Sequence, residues 1–273
     1  MIDGIQENNI RLDQNRSAWN DRTDIHIHSA FYRQQDFING WNSLNEIELS
    51  LLGDLTGLSV LHLQCHFGQD TISLSRLGAH ATGVDFSENA IEYAGNIAQE
   101  MNSDTRFICC DIYDLPKHLD QQFDLVFTSY GTIGWLPDLK RWAEVISRFL
   151  KPGGQFVFVE FHPVVWMFND HFSNIAYDYF NTGPILENWQ GTYADKSAAI
   201  SSPCVMWNHG LAEVFNALTS CGLNVTHFQE YDYSPYPCFH NASEFEQGKY
   251  WINHLSHKIP LVYSLVAQKS SSC

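Results

Sequence analysis

The spacing of apolar residues changes once along the chain, near residue 56. Before it, Trp19, Phe31, Tyr32, Phe37, Trp41, Leu44 and Leu51 recur among polar neighbours, which predicts amphipathic helices over residues 1 to about 55. After it, short apolar runs of strand length alternate with helical stretches. "VLHLQC" precedes "DTISLSRLGA", "HATGVDF" precedes "SENAIEYAGNIAQEMN", and "TRFICCD" follows. "FDLVFTSYG" then leads to "DLKRWAEVISRFLKPGG" and on to "QFVFVEF". Such alternation predicts βαβ units and a parallel sheet. Ser87 and Asp138 sit where N-caps belong, and Pro152-Gly153-Gly154 predicts a helix stop at Lys151.

The rhythm breaks over 163–207, where 45 residues hold nine aromatics, too many for a solvated connection. It resumes with the helix "GLAEVFNALTSCG", the strand "NVTHFQEYDY" and, after a second irregular stretch, the strand "PLVYSLVAQK". No internal repeat and no linker marks a second domain.

Composition narrows the function classes. With 44% hydrophobic residues the 273-residue chain can bury a large core, which excludes disorder. Fifteen basic against 31 acidic residues give a formal charge of −16, which repels phosphate backbones and anionic lipid. The seven cysteines (65, 109, 110, 204, 221, 238 and 273) contain no C-x-x-C pair, so they predict neither a disulfide framework nor a zinc ribbon. A polar N-terminus and the absence of a long apolar run predict a cytoplasmic protein without a signal peptide or membrane span. Cys109-Cys110 is expected in a buried strand. "HIH" at 26–28, read as a strand, brings two imidazoles to one face, yet no third ligand follows at a recognisable spacing, and no metal site is predicted.

The strand ends carry the chemistry. In an open parallel sheet, ligands sit beyond the carboxyl ends of the strands, where neighbouring connections diverge. The first strand ends near Gln64, and its loop runs through Gly68, where a missing Cβ allows close approach or a positive φ. Asp85 ends the second strand, 17 residues after Gly68, and a carboxylate there can accept two hydrogen bonds from a ribose diol. Asp111 ends the third, placed to accept from an exocyclic amine such as adenine N6, with Ile112 against the ring. Together they predict a nucleoside site.

The order "VLHLQCHFGQDT … TGVDFSENAI … CCDIYDLP … FDLVFTSYG … RFLKPGGQFVFVE" resembles the class I S-adenosylmethionine-dependent methyltransferases over about residues 57–162. The H-L-Q-C-H-F-G-Q-D wording is similar to that of a subgroup acting on small molecules, and the similarity reaches "WN" at 19–20 and "WL" at 135–136. The resemblance implies a Rossmann-like, doubly wound α/β sheet of seven strands, mostly parallel with the last antiparallel. One domain then divides into an N-terminal helical cap (1–55), a cofactor-binding core (56–162), a lid or substrate insertion (163–207) and the rest of the core (208–273).

It also implies S-adenosylmethionine as cofactor, S-adenosylhomocysteine as product and a small uncharged or aromatic acceptor, while the net charge predicts no nucleic-acid or membrane partner. By position the cofactor contacts become Gln64, Cys65, His66 and Gly68 of the first loop, Asp85 and Phe86, Asp111 and Ile112, and Ser129 in "TSYG" at 128–131. Where the family reads acid-x-Gly-x-Gly-x-Gly, this chain reads His62-x-Gln64-x-His66-x-Gly68, so a slightly different loop is expected. Aromatic faces suit a sulfonium, which makes Tyr32 and Tyr130 its expected neighbours. The candidate bases are His162, His209 and Glu160. Two other functions compete. A nicotinamide-dependent oxidoreductase lacks its G-x-G-x-x-G, and a catalytically silent cofactor-binding module is favoured only by the altered loop.

Overall fold

Strand β1 (Ser59–Leu63) is buried on both faces, which is why its sequence shows an apolar run rather than alternation. Val60 packs with Leu52, Leu74, Phe127 and Val157 on one side. Leu61 and Leu63 pack with Trp142, Phe156 and Leu265 on the other. In the computed structural model, which describes residues 2–271, β1 is an inner strand of a seven-stranded sheet. The predicted helical start at Met1 and the thiol of Cys273 lie outside the described residues.

Around β1 stand β2 (His80–Asp85), β3 (Arg106–Cys109), β4 (Phe123–Ser129) and β5 (Leu150–Phe161), all parallel. Beyond β5 lies the last strand, β11 (Val262–Lys269), antiparallel both to β5 and to the outer β8 (Leu223–Tyr231). The order β3-β2-β1-β4-β5-β11-β8 bears out the expected doubly wound α/β sheet with its inverted last strand. It also fixes the place of the site. The chain runs outward from β1 to β3 and returns to β4, so a crevice opens at the carboxyl ends of β1 and β4.

The connecting helices are α4 (Gln69–Arg76), α5 (Glu88–Glu100), α6 (Leu139–Phe149) and α7 (Leu211–Ser220). Ser87 and Asp138 cap α5 and α6, accepting from the amides of Ala90 (3.2 Å) and Arg141 (3.0 Å). Helix α6 ends at Phe149, two residues before the expected stop, because "LKPGG" is already drawn into β5.

Two other expectations fail locally. "HIH" lies in the last turn of helix α1 (Ile2–His28), not in a strand, because the helix continues through it. Of the cysteine pair only Cys110 is buried; Cys109 is exposed at the end of an edge strand.

The cap has more order than its sequence pattern suggests. Helix α1 is followed by a 3₁₀ turn (Ala30–Tyr32), α2 (Gln34–Ile38) and α3 (Glu46–Leu52). The aromatic insertion contains a hairpin of β6 (Ile185–Gln190) and β7 (Ser201–Met206), and the second irregular stretch contains another, β9 (Ala242–Glu246) with β10 (Lys249–Ile252). Helix α1 is tied to β7 by Asn15, whose Nδ2 donates to the Val205 carbonyl (2.7 Å) and whose Oδ1 accepts the Val205 amide (2.9 Å). No helix among the described residues is long and apolar enough to cross a membrane.

Candidate active site at the strand ends

The crevice between β1 and β4 opens into a cavity of about 590 Å³, the size of a small-molecule site. Every residue expected to touch a cofactor lines it: Tyr32, Gln64, Cys65, His66, Gly68, Asp85, Phe86, Asp111, Ile112 and Ser129. So does Tyr130. Among the described residues, four of the eight non-glycine residues with left-handed backbone, Gln64, His66, Tyr130 and Phe172, also belong to this lining. Each such conformation costs about 1–3 kcal/mol and persists only where the surroundings impose it.

The first loop shows how glycine is dispensed with. Gln64 (φ 56°), His66 (φ 50°) and Gly68 (φ 83°) all take the left-handed conformation. Two non-glycine residues thus adopt backbone conformations that favour glycine. The two side chains find partners outside the loop. Gln64 Nε2 donates to the Thr132 carbonyl (2.8 Å), and the His66 ring shares a hydrogen bond with His26 of α1 (2.9 Å). Burial holds His26 down to about 3, with Arg22 adding to it, and holds His66 well below its ordinary value, so both rings are neutral. Gln64 Oε1 and His66 Nδ1 are buried with no partner among the described residues, which leaves an acceptor and a ring nitrogen for a ligand. At Gly68 a Cβ would stand 2.6 Å from the Phe107 ring and 2.9 Å from the Ala94 Cβ, so this glycine is needed for packing as well as for its φ.

Asp85 accepts the His66 amide on Oδ2 (2.9 Å) and the Ser87 amide on Oδ1 (3.0 Å). These bonds tie the β1 loop to the β2 end and leave each oxygen a free lone pair for a diol. Burial pushes the carboxyl up to about 6 against the pull of the backbone donors. Asp111 accepts the Tyr113 amide (2.8 Å) and caps a 3₁₀ turn over Ile112–Lys117, keeping its other oxygen for a ligand.

The candidate bases fare differently. His162 is not part of the cavity lining; it is buried beside Tyr263, its Nδ1 accepts the Val164 amide (3.2 Å), and its Nε2 lies 3.0 Å from Glu230 of β8. His209 is also outside the lining, with Nε2 bonded to the Leu136 carbonyl (2.8 Å) and Nδ1 3.0 Å from Glu213. Both correct the sequence expectation, since each strand end turns these side chains away from the crevice. Glu160 does reach the cavity wall, but its oxygens are taken up by the amides of Gly131, Thr132 (2.7 Å), Ile133 (3.2 Å) and Phe161 (2.7 Å). It shapes the β4 loop. His62, at the position of the family's acid, is buried against Phe127 and Thr71 (2.8 Å) and held down to about 3 by burial.

Sequence reasoning missed a polar group beside Tyr130. Tyr130 Oη donates to Glu48 Oε2 (2.7 Å), and Glu48 is fully buried. Asn45-x-x-Glu48 is a capping-box spacing, and the reciprocal bonds are present at the start of α3. That spacing announces the helix, but it also suggests a surface glutamate, so nothing local revealed the tyrosine contact. Among the described residues no group of three or more His, Cys, Asp or Glu side chains could hold a metal.

A family profile described as "Methyltransferase domain" matches residues 60–154. Demethylmenaquinone methyltransferase of Lactococcus lactis subsp. lactis (strain IL1403) is 36% identical over 126 residues, covering 44% of this chain and 49% of the relative. Ubiquinone biosynthesis O-methyltransferase of Coxiella burnetii (strain Dugway 5J108-111) is 35% identical over 104 residues, covering 38% and 44%. The chain thus spans about half the length of these curated relatives. Among solved structures, the DhpI–SAH complex superposes with a TM-score of 0.57 at 18% identity, covering 96% of this chain and 98% of the other. A methyltransferase of Clostridium acetobutylicum ATCC 824 gives 0.56 at 17% identity, covering 91% and 96%. The chain carries the class I S-adenosylmethionine-dependent methyltransferase fold, with the profile match running from β1 into β5.

Proposed function

We propose that the protein is an S-adenosylmethionine-dependent methyltransferase acting on a small ring-bearing acceptor, in the cytoplasm and without a nucleic-acid or membrane partner. One observation carries the reading: Gly68, Asp85, Asp111 and Ile112, from three successive strand ends, meet in one cavity whose walls are rich in aromatic side chains. Asp85 would hold the ribose diol, Asp111 the adenine amine and Ile112 the adenine face. Gln64 Oε1 and His66 Nδ1, buried and unpartnered among the described residues, suit the polar end of the cofactor. When bound, S-adenosylmethionine supplies an activated methyl group on a cationic sulfur. The protein's own task is to align the acceptor and exclude water, and alignment alone can supply about 7–11 kcal/mol of a barrier.

The acceptor class follows from the wall beyond the β4 loop. Tyr130, Phe161, Trp166, Tyr236 and Phe239 line it, a surface suited to a flat ring. The names of two relatives, one for demethylmenaquinone and one for ubiquinone biosynthesis, agree with such a ring. The formal charge of −16 opposes a nucleic-acid acceptor.

The test is formation of S-adenosylhomocysteine from S-adenosylmethionine over a panel of phenols, catechols and quinols, with product expected from at least one. Binding of S-adenosylhomocysteine without product over the whole panel would favour a silent cofactor-binding module. Calorimetric heat with NADH and none with S-adenosylmethionine would overturn the reading altogether.

A further inference from the structure

Both histidines expected to serve as bases face away from the cavity, and Glu160 is spent on backbone amides. A further buried carboxylate, Glu48, reaches the cavity through a lining side chain, and Asp70 belongs to the lining itself. Glu48 has no exposed surface. Its Oε1 accepts the Asn45 amide (3.2 Å) and side chain (3.1 Å), and its Oε2 accepts only Tyr130 Oη (2.7 Å). Tyr130 lines the cavity, held there by its left-handed backbone (φ 47°) and by packing on Phe161 and Tyr236. A capping glutamate has no need of burial or of a tyrosine. This one has both, and the hydroxyl it accepts belongs to a residue of the cavity lining.

We propose that Glu48 and Tyr130 form a proton relay that accepts the proton of a phenolic or enolic hydroxyl during methyl transfer. This rests on the methyltransferase reading above. The O–CH3 bond forms as the S–CH3 bond breaks. The acceptor proton passes to Tyr130 Oη, and the Tyr130 proton passes to Glu48 Oε2. The sulfonium and the carboxylate, one charge of each sign, both become neutral, so no net charge is left in the closed cavity.

The surroundings agree. Burial first, and the charge of Asp70 second, push Glu48 up to about 7, between an ordinary carboxylate and a phenol. The groups facing the pair are Asp70 of α4, Tyr236, whose Oη accepts from Asn45 Nδ2 (2.7 Å), and Asn45 itself. Asp70 also lines the cavity and is the rival proton acceptor.

The deciding experiment needs no acceptor. The carboxyl of Glu48 is followed by carbon-13 NMR against pH in wild type and Tyr130→Phe, with Glu48→Gln assigning the signal. The relay predicts a midpoint near 7 that rises in Tyr130→Phe, because the donated hydrogen bond to the charged form is lost. It also predicts a lower midpoint with S-adenosylmethionine bound than with S-adenosylhomocysteine, since only the former is a cation. A midpoint in the ordinary glutamate range, or one indifferent to Tyr130→Phe, overturns the relay.

With catechol as probe, Glu48→Gln should lower kcat at least a hundredfold and remove the acid limb of the pH profile near 7. The dissociation constant of S-adenosylhomocysteine should stay within twofold. Loss of turnover in Asp70→Asn but not in Glu48→Gln assigns the proton to Asp70 and overturns the relay. Wild-type protein that binds no S-adenosylhomocysteine, with the coupled titration intact, refutes the methyltransferase reading instead.

Discussion

The sheet and the cap enclose one cavity but are held together by different forces. The sheet side is built from apolar layers in which Trp142, Phe156, Phe158 and Leu265 have essentially no exposed surface. The seam between α1 and the β6–β7 hairpin is polar and aromatic. Arg22 is buried there with its guanidinium 5.1–5.8 Å from the rings of Trp19, Trp135 and Trp189. Its Nη2 meets only Cys204 Sγ (2.7 Å), and its Nε and Nη1 have no partner among the described residues. The contrast predicts that the apolar sheet contributes more to stability than the polar and aromatic seam does.

The largest expected effect lies on the sheet. Trp142→Ala removes a fully buried indole packed on Phe156 and Phe158 and should cost about 3–5 kcal/mol in urea unfolding. A cost below 1 kcal/mol would erase the distinction between the two regions. Next comes the acid response of the same core. His62 is neutral in the fold, at about 3 against an ordinary 6.5, so below pH 6.5 the unfolded chain binds the extra proton and stability falls. Glu48 and Asp85 act oppositely, because carboxyls raised to about 7 and about 6 bind protons in the folded state first. His62→Gln should therefore lose about 2 kcal/mol less stability than wild type between pH 6.5 and 5. Parallel pH curves for the two proteins would contradict the assignment.

The smallest effect is expected in the cap. Arg22→Met exchanges stacking of a cation on three indoles for relief from a buried charge without a carboxylate partner, terms of similar size and opposite sign. Unfolding stability should stay within about 1 kcal/mol of wild type. A loss as large as that of Trp142→Ala would show the seam to be as structural as the sheet.

The same contrast explains how much could be read from the sequence. The inner strands β1, β4 and β5 are apolar because both faces are covered, and the helices carry local stop and start signals, so the alternation of strands and helices is legible without coordinates. The residues at the strand ends, Gly68, Asp85 and Asp111, follow from that register. The hairpins of the cap gave no such signal. Strand β6 alternates half-buried and exposed positions but places Leu186 on the exposed face, and β7 contains Pro203 and is completed by Asn15, nearly two hundred residues away. Glu48 was hidden for the same reason, since its burial depends on a loop more than 80 residues later. His162 and His209 were misplaced by side-chain direction: each follows a strand by one or a few residues, and a shift of one residue reverses the face.

The central claim, that the strand-end cavity is built for an adenosyl cofactor, is tested most directly by calorimetric titration of S-adenosylhomocysteine into wild type and Asp85→Ala. Saturable binding to wild type is expected, with a dissociation constant raised more than tenfold in the variant, since two charge-assisted hydrogen bonds to the ribose are lost. Equal affinity in both proteins, or no heat with wild type, would contradict it.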